Sequence, residues 1–335
     1  MARRDTSRLD EDDVRSRPTR YGSRARTKQR PSHDDAEAGM IVTVDRGRFT
    51  VLLDGSEVRL TAMRARELGR KAITVGDQVG VVGDLTGQPD SLARIVRVDE
   101  RRTVLRRTAD DNDPYERVIV ANADQLLIVT ALADPPPVYG LIDRCVVAAL
   151  TAGLEPILLL TKADLASPDE VLANYADLDI PAVVTSRGAE LAEIRALLDG
   201  KRTVFVGHSG VGKSTLVNAL VPGALRSTGV VSKVGMGRHT STSVFALPLP
   251  LPLHGWVIDT PGVRSFGLAH VTAQDVLWAF PDLEDGAVQC PGSCEHLAAA
   301  DGCRLDAWVA AGSSSPARLE AFRRLLASRT DLGDA

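Results

Sequence analysis

Residues 202–220 read RTVFVGHSGVGKSTLVNAL, and this stretch decides the fold of the middle of the chain. Residues 202–206 are mostly apolar, as in a strand buried on both faces of a parallel sheet, and residues 215–220 suit a helix. A glycine-rich loop at residues 207–214 lies between them. Strand, loop and helix in this order form the context that a phosphate-binding P-loop requires.

The residues of this loop suit the phosphates of a nucleotide. Gly207 and Gly212 allow backbone N–H groups and the start of the helix to face phosphate oxygens. Lys213 adds a positive charge, and Ser214 adds a hydroxyl group for Mg²⁺. The sequence therefore predicts nucleotide-binding residues along the whole loop and into the helix: Gly207, His208, Ser209, Gly210, Val211, Gly212, Lys213, Ser214 and Thr215.

Apolar strands alternate with helical segments on the N-terminal side of the P-loop. The strands fall at residues 125–131, 156–160 and 182–185, and the helices at residues 140–152, 169–175 and 189–198. This alternation is typical of a parallel sheet with helices on both faces. We therefore expect a multidomain α/β protein with this sheet at its centre.

A candidate base-reading element lies at residues 161–164, which read TKAD and directly follow the strand at 156–160. Its place is the carboxyl end of a parallel strand, where α/β folds bind ligands. The Asp164 carboxylate can accept hydrogen bonds from the N1–H and the exocyclic amine of guanine, which adenine does not supply. We therefore predict that Thr161, Lys162 and Asp164 select GTP.

Two segments after the P-loop suit the γ-phosphate side of a nucleotide. Asp259 follows a predicted strand at residues 255–258, so its carboxylate can reach Mg²⁺ through water, and the Gly262 N–H can contact the γ-phosphate. Residues 235–242, GMGRHTST, are typical of a switch segment with glycine hinges. We assign Thr240 to Mg²⁺, although the residues alone do not rank it above Ser241 or Thr242.

The order of these elements indicates a circular permutation, because the guanine element precedes the P-loop instead of following it. A parallel sheet tolerates such a change when the original termini lie close together. Over residues 39–335 the chain closely resembles a bacterial family of circularly permuted GTPases, the ribosome small subunit-dependent GTPase A family. The resemblance is carried by ANADQ at 121–125, GLIDR at 140–144, GHSGVGKST at 207–215, GRHT at 237–240 and DTPGVR at 259–264.

The resemblance implies hydrolysis of GTP to GDP and phosphate, stimulated by the small (30S) ribosomal subunit during its late maturation. The implied partners are GTP, GDP, the subunit and its rRNA. Ser186 resembles a second, backbone-mediated guanine contact. Thr161 stands where many GTPases have asparagine, and we expect looser hydrogen bonding between the loops for that reason.

The catalytic residues are harder to assign, because the glutamine that orients water in many GTPases is absent and Val263 follows the Asp-x-x-Gly motif. The resemblance points to His239 as the group that orients or deprotonates water, with Lys213 neutralising charge. Two other functions stay open on the residues alone. One is a P-loop phosphotransferase such as a kinase, and the other is an RNA-binding protein that uses GTP as a structural ligand.

A second candidate site lies near the C-terminus, where Cys290, Cys294, His296 and Cys303 fall within fourteen residues. Three thiolates and one imidazole are the ligands that tetrahedral structural zinc prefers. The spacing also matches the zinc motif of the resembled family. We therefore predict one structural Zn²⁺ in a helical domain at residues 271–335, while Cys145 is expected to lie in the core.

The N-terminal part divides into an arm and a barrel. Residues 1–38 are blocky in charge and poor in apolar residues, so we expect a disordered arm. Five strand-like runs at residues 40–44, 48–53, 57–60, 78–82 and 93–98 predict an OB-type β-barrel at residues 39–105. The GTPase domain is then expected at residues 106–270. A cluster of arginines near this boundary suits a solvated linker or a phosphate contact: Arg101, Arg102, Arg106 and Arg107.

Composition excludes several classes of protein. The 335 residues are 44% hydrophobic and 25% charged, which suits a globular chain of two or three domains. The sequence shows no apolar run of membrane-spanning length and no signal peptide, and four cysteines do not form a disulfide framework. We therefore expect a cytoplasmic monomer without membrane contact. Because the net charge is −4, nucleic-acid contacts are expected from local patches.

Overall fold

The N-terminal third folds into a closed barrel of five strands. The computed structural model describes residue 33 and residues 35–69, 72–107, 117–223, 244–260, 267–268, 270–298 and 302–329. Strand β3 runs parallel to β5, and β1 closes the barrel by pairing with β4, which confirms the OB-type prediction. The barrel strands are β1 (Glu37–Asp45), β2 (Arg48–Leu53), β3 (Arg59–Arg64), β4 (Gln78–Gly83) and β5 (Ala93–Val98).

Two barrel boundaries differ from those that the sequence predicts. Strand β1 begins at Glu37, two residues before the expected start of the barrel at residue 39, and residues 1–32 and 34 lie outside the described part of the chain. Strand β3 begins at Arg59 rather than at residue 57, because the Leu53 N–H donates to the Val58 carbonyl oxygen at 3.2 Å and keeps residues 54–58 in the hairpin turn.

An unpredicted hairpin joins the barrel to the rest of the protein. It consists of β6 (Val104–Arg107) and β7 (Arg117–Ala121). The Thr74 hydroxyl of the barrel donates to the Ile119 carbonyl oxygen at 2.9 Å. A side chain at Gly76 would place its Cβ atom 1.9 Å from the Ala121 carbonyl oxygen, so the close approach of the two segments requires glycine there.

Two members of the arginine cluster form ion pairs at this junction. The Arg101 guanidinium donates to both oxygens of the fully buried Asp77 at 2.7 and 2.8 Å. Arg102 donates to Asp124 at 3.1 Å. Arg106 and Arg107 belong to β6. The linker and phosphate-contact interpretations are therefore both wrong for Arg101, whose side chain is used inside the protein.

The central sheet has the predicted parallel architecture. Its strands follow the order β10, β9, β8, β11, β13 and β12, and only β12 is antiparallel to its neighbour β13. Strand β12 also pairs with β1 through Thr43 and Phe245, so barrel and central sheet are continuous. The strands are β8 (Gln125–Ala131), β9 (Glu155–Thr161), β10 (Ala182–Val184), β11 (Arg202–Val206), β12 (Phe245–Pro248) and β13 (Trp256–Asp259).

Helices cover both faces of this sheet, as its continuous apolar strands require. Alternate residues of β8 separate the two layers: Leu126 and Ile128 belong to one core cluster, Leu127 and Val129 to the other. Residues of α1 and α2 pack in the first cluster, and those of α3 and α4 in the second. The helices are α1 (Tyr139–Thr151), α2 (Asp169–Tyr175), α3 (Ala192–Leu198) and α4 (Lys213–Leu220).

The C-terminal region is helical and packs against α1. The Thr272 hydroxyl accepts a hydrogen bond from the Asp275 N–H and caps the first helix of this region. Phe322, fully buried, meets Phe280 edge to face at 5.1 Å between ring centres. Within the described ranges no helix is long and apolar enough to cross a membrane. The helices are α5 (Ala273–Leu277), α6 (Pro281–Ala287), α7 (Leu305–Ala310) and α8 (Pro316–Ser328).

Candidate nucleotide site and metal cluster

The P-loop lies between β11 and α4, where the sequence predicts it. A Cβ atom at Gly207 would lie 2.4 Å from the Val129 carbonyl oxygen, so only glycine lets the loop leave β11 this close to β8. Gly212 has a φ of 94° just before α4, in the left-handed region that favours glycine. Helix α4 begins at Lys213, which directs its N-terminal N–H groups toward the loop.

The P-loop lysine is paired with the acid at the end of the neighbouring strand. Lys213 Nζ donates to the Asp259 carboxylate, which is 5% exposed. Asp259 is brought there because β11 and β13 are adjacent, with Phe205 opposite Asp259 in the register. The hydroxyl of the next residue, Thr260, donates to the Phe205 carbonyl oxygen at 2.8 Å and fixes the end of β13.

The TKAD loop is tied directly to the P-loop. The Thr161 hydroxyl donates to the Val211 carbonyl oxygen at 2.7 Å, and Thr161 is 8% exposed. The threonine hydroxyl therefore connects the two loops by a hydrogen bond, and whether asparagine would connect them more tightly stays a prediction. Lys162 has a φ of 60° and donates through Nζ to the Asp134 carbonyl oxygen. Asp164 is exposed, so its carboxylate is accessible to a base.

The segment that carries Ser186 lies beside this loop. The Thr185 N–H donates to the Leu160 carbonyl oxygen at 2.8 Å, and the Ala163 N–H donates to the Thr185 carbonyl oxygen at 3.2 Å. Ser186 follows at the carboxyl end of β10 and is half-buried. The residues predicted to contact guanine are therefore brought together at one edge of the sheet.

The remaining predicted nucleotide contacts fall into two groups. Ser209, Gly210, Ser214 and Thr215 are exposed around the P-loop, and His208 Nδ1 lies 3.0 Å from the Ser209 carbonyl oxygen. His239, Thr240 and Gly262 lie outside the described residues, as do Ser241, Thr242 and Val263. The structure thus assembles the phosphate and base sides of the site, while the switch residues stay predictions.

The cysteine and histidine cluster is assembled as a possible metal site. The ligand atoms of Cys290, Cys294, His296 and Cys303 all lie within 4.8 Å of one another. Zinc bonded to thiolates at about 2.3 Å needs ligand atoms about 3.7 Å apart, so a small contraction suffices. Cys303 Sγ and His296 Nδ1 are already 3.8 Å apart. The four residues therefore fit a tetrahedral ion.

The surroundings of the cluster favour a bound cation. Burial raises the pKa of the Cys294 thiol to about 11, with the neighbouring cysteines adding to the effect. Burial lowers the pKa of His296, which keeps its imidazole neutral and able to bind a metal. A divalent ion would reverse the penalty on the thiolates, because it supplies the missing positive charge.

Several supporting contacts were not predicted from the sequence. The Arg304 N–H donates to Cys290 Sγ at 3.2 Å, and Arg323 Nε donates to the His296 carbonyl oxygen at 3.1 Å. Arg323 is itself held by Asp306 through two hydrogen bonds of 2.9 and 2.6 Å. Only the contact of Arg304 could have been found from the sequence, because Arg304 directly follows the ligand Cys303. Arg323 belongs to a helix that comes later in the chain, so its position in the sequence does not indicate the contact.

Comparisons with known proteins agree with this arrangement. The family model described as RsgA GTPase matches residues 98–269. The small ribosomal subunit biogenesis GTPase RsgA of Marinobacter nauticus is 34% identical over 92% of this chain and 91% of its own length. The protein of that name from Chlorobaculum tepidum is 36% identical over 82% of this chain and 92% of its own length.

Solved structures show the same fold. The crystal structure of YjeQ from Thermotoga maritima has a TM-score of 0.64 and 25% identity, and the match covers 89% of this chain and 99% of that one. The crystal structure of YloQ, described as a circularly permuted GTPase, has a TM-score of 0.62 and 24% identity, with 91% of this chain and 98% of that one covered. The permuted order of the elements is thus shared with solved proteins.

Proposed function

The chain belongs to the RsgA GTPase family, and from this premise we propose that it hydrolyses GTP in response to the small ribosomal subunit, during late maturation of that subunit. Its relatives are named small ribosomal subunit biogenesis GTPases. The observation that carries the proposal is the 2.7 Å hydrogen bond from Thr161 to the Val211 carbonyl oxygen. This bond fixes a guanine-reading loop against a phosphate-binding loop, as GTP recognition requires.

Guanine is held by the loops at the ends of β9 and β10. Asp164 accepts from the base N1–H and exocyclic amine, and Lys162 forms a wall of the base site next to the P-loop. Ser186 and its neighbouring backbone supply the second contact. An adenine base would leave the Asp164 carboxylate without donors, which costs binding free energy and gives specificity.

The phosphates are held by the P-loop and α4. Lys213 would exchange its contact with Asp259 for the more highly charged triphosphate, and the freed Asp259 carboxylate would be available to accept a hydrogen bond from a water molecule on Mg²⁺. Ser214 and Thr240 would hold Mg²⁺ directly. When bound, Mg²⁺ supplies positive charge against the phosphate oxygens.

His239 is the proposed group that orients the attacking water. A histidine side chain can be neutral near pH 7 and can then accept a hydrogen bond or a proton from water. We propose that the Gly262 N–H contacts the γ-phosphate and that His239 acts on the water when the protein is bound to the subunit. Slow hydrolysis by the free protein and stimulation by the subunit follow from this arrangement.

The other parts of the chain serve the same partner. We infer that the metal in the Cys290 cluster is Zn²⁺ with a structural role, that the barrel and basic patches contact rRNA, and that the protein acts as a cytoplasmic monomer. The proposed division is an arm before β1, a barrel from β1 to residue 105, a GTPase domain at 106–270 and a metal domain at 271–335.

Single-turnover hydrolysis of GTP tests the proposal. Purified small subunits should raise the hydrolysis rate at least about tenfold, whereas large subunits at the same concentration should not, because the response belongs to one partner. ATP should not be hydrolysed with either subunit. Equal hydrolysis with both subunits, or with ATP and GTP, would contradict the proposal.

A further inference from the structure

A groove lies between the barrel and the central sheet. It is at the amino-terminal ends of the parallel strands, which is the end of the sheet opposite to the P-loop. It has a volume of about 1100 Å³ and continues into a second part of about 770 Å³. The amino-terminal ends of β8, β11 and β13 form its floor, whereas the P-loop follows the carboxyl end of β11. The groove is therefore separate from the proposed GTP site.

One wall of the groove is apolar and includes an aromatic ring. The connection between β12 and β13 reads PLPLPLHGW over residues 248–256, and Leu251 within it is 80% exposed. Trp256 lies at the start of β13 and lines both parts of the groove. The opposite wall is the barrel turn between β2 and β3, with Ser56, Glu57 and Arg59.

The floor of the groove carries Arg202, which forms no ion pair with a carboxylate among the described residues. Arg202 lies opposite Trp256 in the register of β11 and β13, so the two side chains stand on the same face of the sheet. In the described ranges no carboxylate lies within ion-pair distance of the half-buried Arg202 guanidinium. Burial, and to a smaller extent the charge of Arg102, lowers the Arg202 pKa, although the charges of Asp124 and Asp54 oppose this shift.

Asp124, one of the two acids that act on Arg202, is already engaged by other donors. One Asp124 oxygen accepts from the Arg202 backbone N–H at 2.7 Å, and the other accepts from Arg102 at 3.1 Å. Arg59 adds an exposed positive charge at the rim, and Glu57 a negative one. A half-buried cation without an ion pair would be stabilised by an anion from outside the protein.

A second group in the groove lacks a donor. Gln78 lines the part that also contains Arg202 and Trp256, and its side-chain oxygen is buried without a hydrogen-bond partner among the described residues. A buried acceptor left unpaired costs stability, which a ligand hydroxyl or amino group would restore. The groove thus offers an anion contact, a hydrogen-bond acceptor and an aromatic face.

We propose that this groove binds single-stranded RNA, with a phosphate on Arg202, a ribose hydroxyl or base amino group donating to Gln78, and a base against Trp256. The inference rests on the proposed function, since rRNA of the small subunit would supply the strand. It goes further by assigning the contact to this groove and to three residues. A nucleotide carries the anion, a hydrogen-bond donor and a flat ring in one unit, whereas an acidic side chain supplies only the anion.

The main test compares two neutralising variants of the full chain in the GDP state. Binding of a short fluorescent single-stranded RNA is measured by anisotropy over a range of salt concentrations. Arg202→Gln should weaken binding about tenfold and lower the salt slope by about 0.7, the value for one lost phosphate contact. Arg94→Gln, the matched control on an exposed position of β5 outside the groove, should change affinity less than about twofold.

Three further variants make the test independent of folding defects in Arg202→Gln. Arg59→Gln, at the exposed rim, should weaken RNA binding by a few fold. Gln78→Met should keep the thermal stability and reduce the preference for RNA over DNA of the same sequence, because it removes the unpaired acceptor. RNA should quench tryptophan fluorescence in the unmodified protein, and Trp256→Phe should abolish that quenching although Trp278 and Trp308 remain.

The outcomes separate this inference from the proposed function. Equal RNA affinity of Arg202→Gln and Arg94→Gln, or displacement of RNA by polyglutamate at equal concentration, would overturn the assignment of the groove. GTP affinity and basal hydrolysis should be unchanged in all groove variants. If small subunits fail to stimulate the unmodified protein, the proposed function fails, while RNA binding in the groove is still decided by the variants.

Discussion

Thr161 joins the two loops that we propose bind the base and the phosphates of GTP. Its hydroxyl donates to the Val211 carbonyl oxygen, and Val211 is 3% exposed. Thr161→Val keeps the shape of the side chain but leaves this carbonyl oxygen without its donor, at a cost of about 1 kcal/mol. We expect GTP affinity to fall about fivefold, as measured with a fluorescent GTP analogue. Thr161→Ser retains the hydroxyl and should bind normally; equal loss in both variants would contradict this role.

Asp164 is exposed at the same edge, and no hydrogen bond or ion pair engages its carboxylate among the residues that the structure describes. Asp164→Asn replaces a double acceptor by an amide, which no longer matches the two donors of guanine. We expect GTP to bind at least about tenfold more weakly and xanthosine triphosphate to bind better than in the unmodified protein, since xanthine offers an acceptor where guanine has its amine. Competition binding with both nucleotides measures the change. A variant that still prefers GTP would place the base elsewhere.

The loop that carries the Cys290 cluster and helix α8 both belong to the C-terminal region, but we expect different interactions to stabilise them. A bound metal ion would hold the side chains of Cys290, Cys294, His296 and Cys303 together, whereas the apolar residues of α8, among them Phe322, are buried against neighbouring helices. Cys294→Ser should therefore lose the stoichiometric metal and the hydrogen-exchange protection of the loop, while α8 stays protected. Metal analysis and exchange mass spectrometry measure both effects.

The matched control is Cys145→Ser. Cys145 is a buried cysteine of α1 outside the cluster, with a thiol pKa raised by burial to about 12, so its replacement should leave about one metal ion per chain. If α8 of Cys294→Ser exchanges as fast as the loop, the ion holds the whole region and the separation into two forces is wrong.

The sequence predicts local chemistry better than long-range pairing. The P-loop, the TKAD loop and the four metal ligands were predictable because each is a short motif with fixed spacing. The hairpin of β6 and β7 was not predictable, because its two strands have no motif of fixed spacing that would indicate their pairing. The hydrogen bonds of Arg101 to Asp77 and of Thr161 to Val211 were not predictable either, because the partners are distant in sequence.

The GLIDR motif joins the GTPase domain to the C-terminal helix, a role that the sequence did not reveal. Asp143 of α1 is 3% exposed, accepts from the Tyr175 hydroxyl at 2.9 Å and lies 3.2 Å from Arg324 Nε of α8. Arg144 donates to the Ser328 carbonyl oxygen at 2.9 Å. The guanidinium of Arg324 also lies 5.1 Å from the centre of the Tyr175 ring.

Arg324→Gln should destabilise the whole protein, because it leaves the Asp143 carboxylate buried without its cation. We expect a loss of about 2 kcal/mol in the free energy of unfolding, below the usual cost of breaking a fully buried pair because Arg324 is 30% exposed. Burial already raises the pKa of Asp143 above its ordinary value, and Arg324 opposes that rise. Without Arg324 the pKa of Asp143 should rise further.

The loss of stability in Arg324→Gln should depend on pH, because it involves the pKa of Asp143. A carboxyl group whose pKa is raised on folding stabilises the protein below its unfolded pKa of about 4, and that stability is lost as the pH rises through the folded value. Denaturant unfolding should therefore show a larger deficit of Arg324→Gln at about pH 7 than at about pH 5. Asp143→Asn combined with Arg324→Gln removes the buried charge, so the pH-dependent part of the deficit should disappear. A deficit that is equal at both pH values would mean that Arg324 stabilises the junction through packing on Tyr175 rather than through its charge.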